Sequence, residues 1–208
     1  MNEHPIPLIT PMVQATLEGR KTKTRRIFKD HARLASDVSK IDLKQWLIDY
    51  PDLIKSYSPY GQIGDLLWVR ETFVWEGTTS YNDIFKLGQF YYKADTEKFG
   101  PTKWKSSRFM PKIAARIWLE ITDLTIERLQ DISPEDAENE GIEKYFNSLF
   151  QEYRYKDYAN VTSEWRLATS SFQSLWASIH GVNNWDLNPW VWVITFKVLS
   201  TTGRPTTF

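Results

Sequence analysis

At 208 residues the chain is long enough for one well-cored domain and short for two. Hydrophobic residues make up 41% and charged residues 25%, which excludes global disorder, and the absence of Cys excludes disulfides and thiolate metal sites. Its 26 Lys and Arg balance 26 Asp and Glu, so there is no global basic footprint for nucleic acid. No apolar run approaches the ~20 residues that span a bilayer, and the N-terminal stretch lacks the pattern of a signal peptide. The sequence therefore reads as cytoplasmic and unconnected with a membrane. Only His4, His31 and His180 supply imidazole, none at metal-ligand spacing, so neither a metal nor a cofactor is expected.

In chain order, Thr10 as a cap, Pro11 at the first helical position and Gly19 as a stop predict a short opening helix. The segment 20–27 alternates Thr22, Thr24 and Arg26 against Lys21, Lys23 and Arg25, which predicts a strand after a helix-to-strand turn. Residues 30–58 read as a weakly helical insertion whose best packing candidates are Leu43, Trp46, Leu47 and Leu53. Gly61 and Gly64 punctuate a turn before a strand over 66–75. A long insertion over 77–112 follows, with a short strand near 90–94. A second strand spans 114–126, with Ile117, Leu119 and Ile121 on one face. Ser133, Pro134 and Asp136 open a helix that Gly141 ends. A polar and aromatic insertion covers 142–161. Ala168, Phe172, Leu175, Trp176 and Ile179 recur at helical spacing up to Gly181. The last strand, 190–199, is apolar on both faces at its start, which predicts a central position with Trp190, Trp192, Ile194 and Phe196 buried. One α+β domain over 1–208, with insertions, is the economical reading.

Charge is unevenly spread along this pattern. Arg20, Lys21, Lys23, Arg25, Arg26 and Lys29 form a segment without an acid. Asp131, Glu135, Asp136, Glu138, Glu140 and Glu143 form one without a base. Such asymmetry suits a small anionic or polar ligand. Lys21 lies at the helix-to-strand junction, from which its long side chain reaches the Thr24 hydroxyl. A hydroxyl beside a partly desolvated amine makes a nucleophile. Arg26, on the Thr24 face, has the fork that holds a carbonyl or phosphate. The plainer reading of six bases in ten residues is a solvated edge strand. Arg70 and Glu71 are adjacent on a strand and face opposite sides, so one lines a pocket and the other pairs elsewhere. Glu140 sits near a helix C-terminus, where the dipole disfavours it.

The run Leu17-Glu18-Gly19-Arg20-Lys21-Thr22-Lys23-Thr24-Arg25-Arg26 resembles the signature of the ASCH domain, a relative of PUA RNA-binding domains. The blocks Tyr60 to Glu71, Met110-Pro111, Arg128 to Ser133, Asp136 to Gly141 and Asn188 to Val193 are similar to a prophage-encoded ASCH-like family, in the same order. That resemblance implies a PUA-like mixed β-barrel flanked by short helices, with inserted loops. Compact ASCH proteins include an amidohydrolase that removes acetyl from the exocyclic amine of acetylated cytidine. Carried over, its roles imply Lys21 as proton acceptor, Thr24 as nucleophile and Glu140 as proton donor, with Arg26 nearby; Arg20, Arg26 and Arg70 are the candidate ligand-binding residues. The chain departs from the compact enzyme in its greater length and in Lys23 and Arg25, where the enzyme carries apolar residues.

Three functional classes follow. The first is a hydrolase acting on an amide of a modified nucleoside. The second is a non-catalytic module binding single-stranded RNA or a modified base, with Trp75, Tyr92 and Trp104 as stacking residues. The third is a phage accessory protein with a protein partner, marked by apolar patches at Trp46 or Trp104.

Overall fold

A computed structural model describes residues 1–28, 45, 49, 56–77, 88–95, 103–160 and 162–206. The expected insertion over 30–58, with Leu43, Trp46, Leu47 and Leu53, lies almost wholly outside the described residues. The fold is α+β, built on one mixed five-stranded sheet. Its strands are β1 (Glu3–Pro7), β2 (Lys23–Ile27), β3 (Leu66–Arg70), β6 (Trp118–Arg128) and β10 (Trp190–Ser200), in the order β1-β3-β6-β10-β2. Two smaller sheets join β4 (Phe73–Gly77) to β5 (Gly88–Tyr92), and β7 (Lys144–Asn147) to β8 (Glu152–Lys156) and β9 (Glu164–Trp165). The helices are α1 (Thr10–Leu17), α2 (Pro134–Asn139) and α3 (Ala168–His180). None among the described residues is long and apolar enough to cross a membrane.

The two long strands β6 and β10 pair antiparallel over almost their whole length and form the middle of the sheet. Side chains of successive residues leave opposite faces of a strand, so a strand apolar at every position must be covered on both. β10 meets that condition: Val191, Trp192, Val193, Ile194 and Phe196 are buried, while Trp190 is half-buried beneath the Arg128 guanidinium. The main core gathers Leu67 and Val69 of β3, Leu119, Ile121 and Leu124 of β6, Met12 and Val13 of α1, and Phe172, Leu175 and Trp176 of α3. Leu66 and Trp118 join a smaller cluster with Phe73, Met110, Ala114 and Ala115.

Several boundaries differ from the sequence reading, each for a physical reason. β1 escapes the alternation test because Pro5 and Pro7 interrupt it. They are tolerated because β1 is an edge strand, parallel to β3, whose outer side needs no N–H donors. The strand expected over 66–75 breaks at Glu71 and Thr72 and leaves the main sheet, with β4 pairing β5 instead. Buried Glu71 is held there by Arg116 at 2.9 and 3.0 Å. The stretch 142–161 contains the β7–β8 hairpin. α1 has Ile9 as its cap and no side-chain cap bond, so Thr10 is its first helical residue and not its cap. The strand pairing runs open from β1 to β2, with no closing ladder between these edges among the described residues.

Candidate functional site

The two edges of the sheet border one cleft of about 590 Å³. Its walls come from the β1–α1 turn (Pro7 to Met12), from Lys21 in the turn before β2, from Thr24, Arg25 and Arg26 of β2, from Glu140 after α2, and from α3 with Phe172, Leu175, Trp176, Ile179 and His180. Arg26 spans the two edges, its guanidinium donating to the Pro7 carbonyl at 2.5 Å.

The floor of the cleft is set by two chain turns meeting at very short range. Gly19 has φ +76° and turns the chain out of α1, so that Arg20 and Lys21 donate their N–H groups back to Ala15 O at 2.9 and 3.0 Å. Ser133 caps α2 by accepting from Asp136 N at 3.0 Å, and Gly141 ends it at φ +88°. A Cβ on Gly141 would lie 2.7 Å from Lys21 Cβ and 2.8 Å from Ala15 Cβ. Only glycine permits both that backbone and that approach. The consequence is that Glu140 is seated directly against Lys21.

Lys21 and Glu140 are both buried, with Nζ 2.8 Å from Oε2. The same Nζ donates to the carbonyls of Glu140 and Lys23, each at 2.7 Å. Burial pushes the Lys21 ammonium below its ordinary range, while Glu140 pulls the other way. The remaining Glu140 oxygen accepts from Arg25 at 3.3 Å. Thr24 is buried at the cleft wall, and its hydroxyl makes no hydrogen bond among the described residues. The structure thus brings Lys21, Thr24, Arg26 and Glu140 into one cavity.

Arg20 and Arg70 are not part of it. Arg20 donates to the carbonyls of Gly141 and Ile142 at 2.8 and 3.3 Å and to Glu18 at 2.7 Å, which fastens the backbone behind Glu140. Arg70 lies over the Trp68 ring at 5.6 Å, on the side of β3 away from the main core, and does not line the cleft. The aromatic residues of the insertions are also elsewhere. Trp75 meets Phe90 with the rings tilted by 57°, Tyr92 lies beneath Arg116 at 4.1 Å, and Trp104 is half-buried.

Sequence reasoning missed Arg25 and the wall formed by α3. The Arg25 side chain is wholly buried and pairs with Glu127 at 3.1 Å, Asp136 at 3.0 Å and Glu140. Its guanidinium lies 6.0 Å from the Phe172 ring, which ties β2 to α3. Lys23 adds a 2.5 Å pair with Asp136. The alternation of Lys21, Lys23 and Arg25, set against the acids of 136–140, was the signal available for this clamp. Among the described residues no group of three His, Asp or Glu is placed to hold a metal ion. No protein-family model, curated protein or solved structure matches the chain.

Proposed function

We propose that the chain is an ASCH-type amidohydrolase that removes an acyl group from the exocyclic amine of a modified nucleoside, cytidine above all. In this reading it is a cytoplasmic protein on a PUA-like frame of mixed strands, and a nucleoside or a residue in single-stranded RNA is its substrate. The observation that carries the proposal is the buried Lys21–Glu140 pair, 2.8 Å apart, in the same cleft as a Thr24 hydroxyl that makes no hydrogen bond among the described residues.

One proton shared by that pair supplies both catalysts. With the proton on Glu140, Lys21 is a neutral amine, the form that its burial favours. Lys21 takes the Thr24 proton as Oγ1 attacks the acyl carbon, and Arg26 steadies the oxygen that becomes negative. Glu140 protonates the amine of the base as its bond to the acyl carbon breaks. Lys21 is now an ammonium, Glu140 a carboxylate and Thr24 an ester. Water attacks the ester, giving a proton to Glu140, while Lys21 returns one to the departing Thr24 oxygen. The pair ends as it began, and the sum is amide plus water to amine plus acid.

A second reading, a non-catalytic binding module, draws on the three acceptors around Lys21 Nζ, which satisfy every proton of an ammonium. Thr24→Val separates the two, since it removes the hydroxyl while keeping the branched shape and breaks no hydrogen bond among the described residues. The hydrolase should lose at least ~10³-fold in kcat on N4-acetylcytidine with little change in KM. A wild type without turnover on any acylated nucleoside, and a Thr24→Val protein that binds RNA as wild type does, would establish the module instead.

A further inference from the structure

One wall of the cleft takes no part in the proposed chemistry. It is lined by Thr72, Lys93, Ser106 and Ser107, which come from three separate stretches of the chain. Backbone hydrogen bonds hold those stretches together. Lys93 N–H donates to Thr72 O at 2.9 Å, and Phe73 and Lys105 exchange N–H to carbonyl bonds at 3.2 and 2.8 Å. The same wall is fastened to α1, where the Gln14 amide donates to Ala94 O at 3.1 Å. The fold thus builds this wall beside β2 and Glu140, and its side chains are free of any catalytic duty.

Its composition points to an anion. The Thr72 and Ser107 side chains are half-buried, and their hydroxyls make no hydrogen bond among the described residues. Neither oxygen is among the buried groups that lack a partner, so both are reachable from solvent. Ser106 Oγ accepts only a long bond of 3.4 Å from Arg108 N, which leaves its proton to give. Lys93 is exposed and adds an ammonium. Among the described residues that line the cleft Glu140 is the only carboxylate, and it is held by Lys21 and Arg25. The stretch 101–119 carries Lys103, Lys105, Arg108, Lys112 and Arg116 and no acid. Lys103, Lys105 and Arg108 are exposed without an acidic partner among the described residues, so their field falls on Ser106 and Ser107 between them. Hydroxyl donors and cations with no competing carboxylate fit the oxygens of a phosphate and repel a metal ion. A neutral nucleoside would leave them unused. The cleft, at about 590 Å³, is roomy enough to hold a base at Thr24 and a phosphate at this wall in one molecule.

We infer that Thr72, Lys93, Ser106 and Ser107 form a phosphate subsite, so that the cleft takes a phosphorylated nucleoside in preference to a free one. This inference rests on the nucleoside reading of the cleft and narrows its substrate class. The phosphate is either the terminal group of a mononucleotide or a diester of an RNA chain, and the two present the same oxygens to the wall.

The test titrates wild type, Lys93→Gln and Ser107→Ala with cytidine, cytidine 5′-monophosphate and a cytidine trinucleotide without terminal phosphate, read by calorimetry. Wild type should bind at least one phosphate-bearing ligand roughly tenfold more tightly than cytidine. Both variants should lose most of that advantage, and added salt should shrink it in wild type. A tighter monophosphate assigns a terminal phosphate and a tighter trinucleotide assigns a diester, and either result supports the subsite. Thermal melts of the free proteins accompany the titrations. Equal affinity of wild type for all three ligands, or an advantage that both variants keep, would overturn the inference. Turnover of N4-acetylcytidine and its 5′-monophosphate is followed in parallel. Turnover without a phosphate advantage removes the subsite and leaves the hydrolase standing. A phosphate advantage that the variants lose, without turnover, does the reverse. Absence of both binding and turnover in wild type removes both.

Discussion

A lysine and a glutamate taken out of water together are expensive, and their attraction offsets that only when every remaining polar position is met. Lys21 satisfies the condition with three acceptors and Glu140 with Lys21 and Arg25, so the pair is stable as built and vulnerable to the loss of either member. Lys21→Met should cost about 3–5 kcal/mol, because it leaves a buried carboxylate with one distant partner. Replacing Glu140 as well, by Gln, should cost much less than the sum of the two single changes, since the second loss removes the charge that the first left stranded. Denaturant unfolding of the two single variants and the double variant measures this, and additive losses would mean that the two residues do not stabilise each other. The sequence held part of this residue scale. Lys21, Thr24, Arg26 and Glu140 were legible as a constellation through the resemblance of their two segments to a family signature, since the charge pattern alone read equally as a solvated edge strand. Arg20 and Arg70 lie away from the cleft because a guanidinium reaches far enough for backbone carbonyls or an aromatic ring to capture it, and spacing along the chain does not record which.

At the scale of elements, the acidic helix α2 is clamped to β2 by charge as much as by packing. Asp136 is the hinge of the clamp, accepting from Lys23 at 2.5 Å and Arg25 at 3.0 Å. Burial alone would raise its pKa, but these two cations outweigh that and hold it below the ordinary value of 3.8. The sign follows directly. A carboxyl with a folded pKa below its unfolded one stabilises the fold above about pH 3.8, and the stabilisation disappears as acid protonates it. Asp136→Asn should therefore cost ~1–3 kcal/mol at pH 7. The gap between variant and wild type should narrow as the pH falls below 3.8. Melts at a series of pH values test this, and a gap that is constant down to pH 2 would assign the loss to packing. Elements with strong periodicity or capping residues were readable in advance, as α2, α3, β6 and β10 are. β1 was hidden by its prolines and the β7–β8 hairpin by its mixture of charge and aromatic rings, since an edge strand and a small outlying sheet bury too little to impose alternation.

For the whole molecule, the sheet is what holds the cleft together, because its two edge strands supply opposite parts of the wall. β10 lies between β6 and β2 and is the strand through which β2 joins the rest of the sheet. Trp192 stands opposite Arg26 on one side and Ile126 on the other, is buried at 1% exposure, and meets the Phe28 ring at 5.3 Å. Removing its indole would leave a cavity at the point where the edge strand of the site is joined to the core. Trp192→Ala should lower stability by about 3–5 kcal/mol. For a domain of this length that corresponds to a melting temperature lower by roughly 6–20 °C. One core cluster reaches from α1 through the sheet to α3, so the loss should appear as a single shifted transition. Calorimetry distinguishes the outcomes. A melt unchanged from wild type would mean that the last strand is peripheral, whereas a new early transition would mean that β2 and the cleft unfold apart from the sheet. In the expected case the cleft and the core fail together. The geometry of Lys21, Thr24 and Glu140 is then a property of the whole fold, and neither of the turns that carry them could maintain it alone.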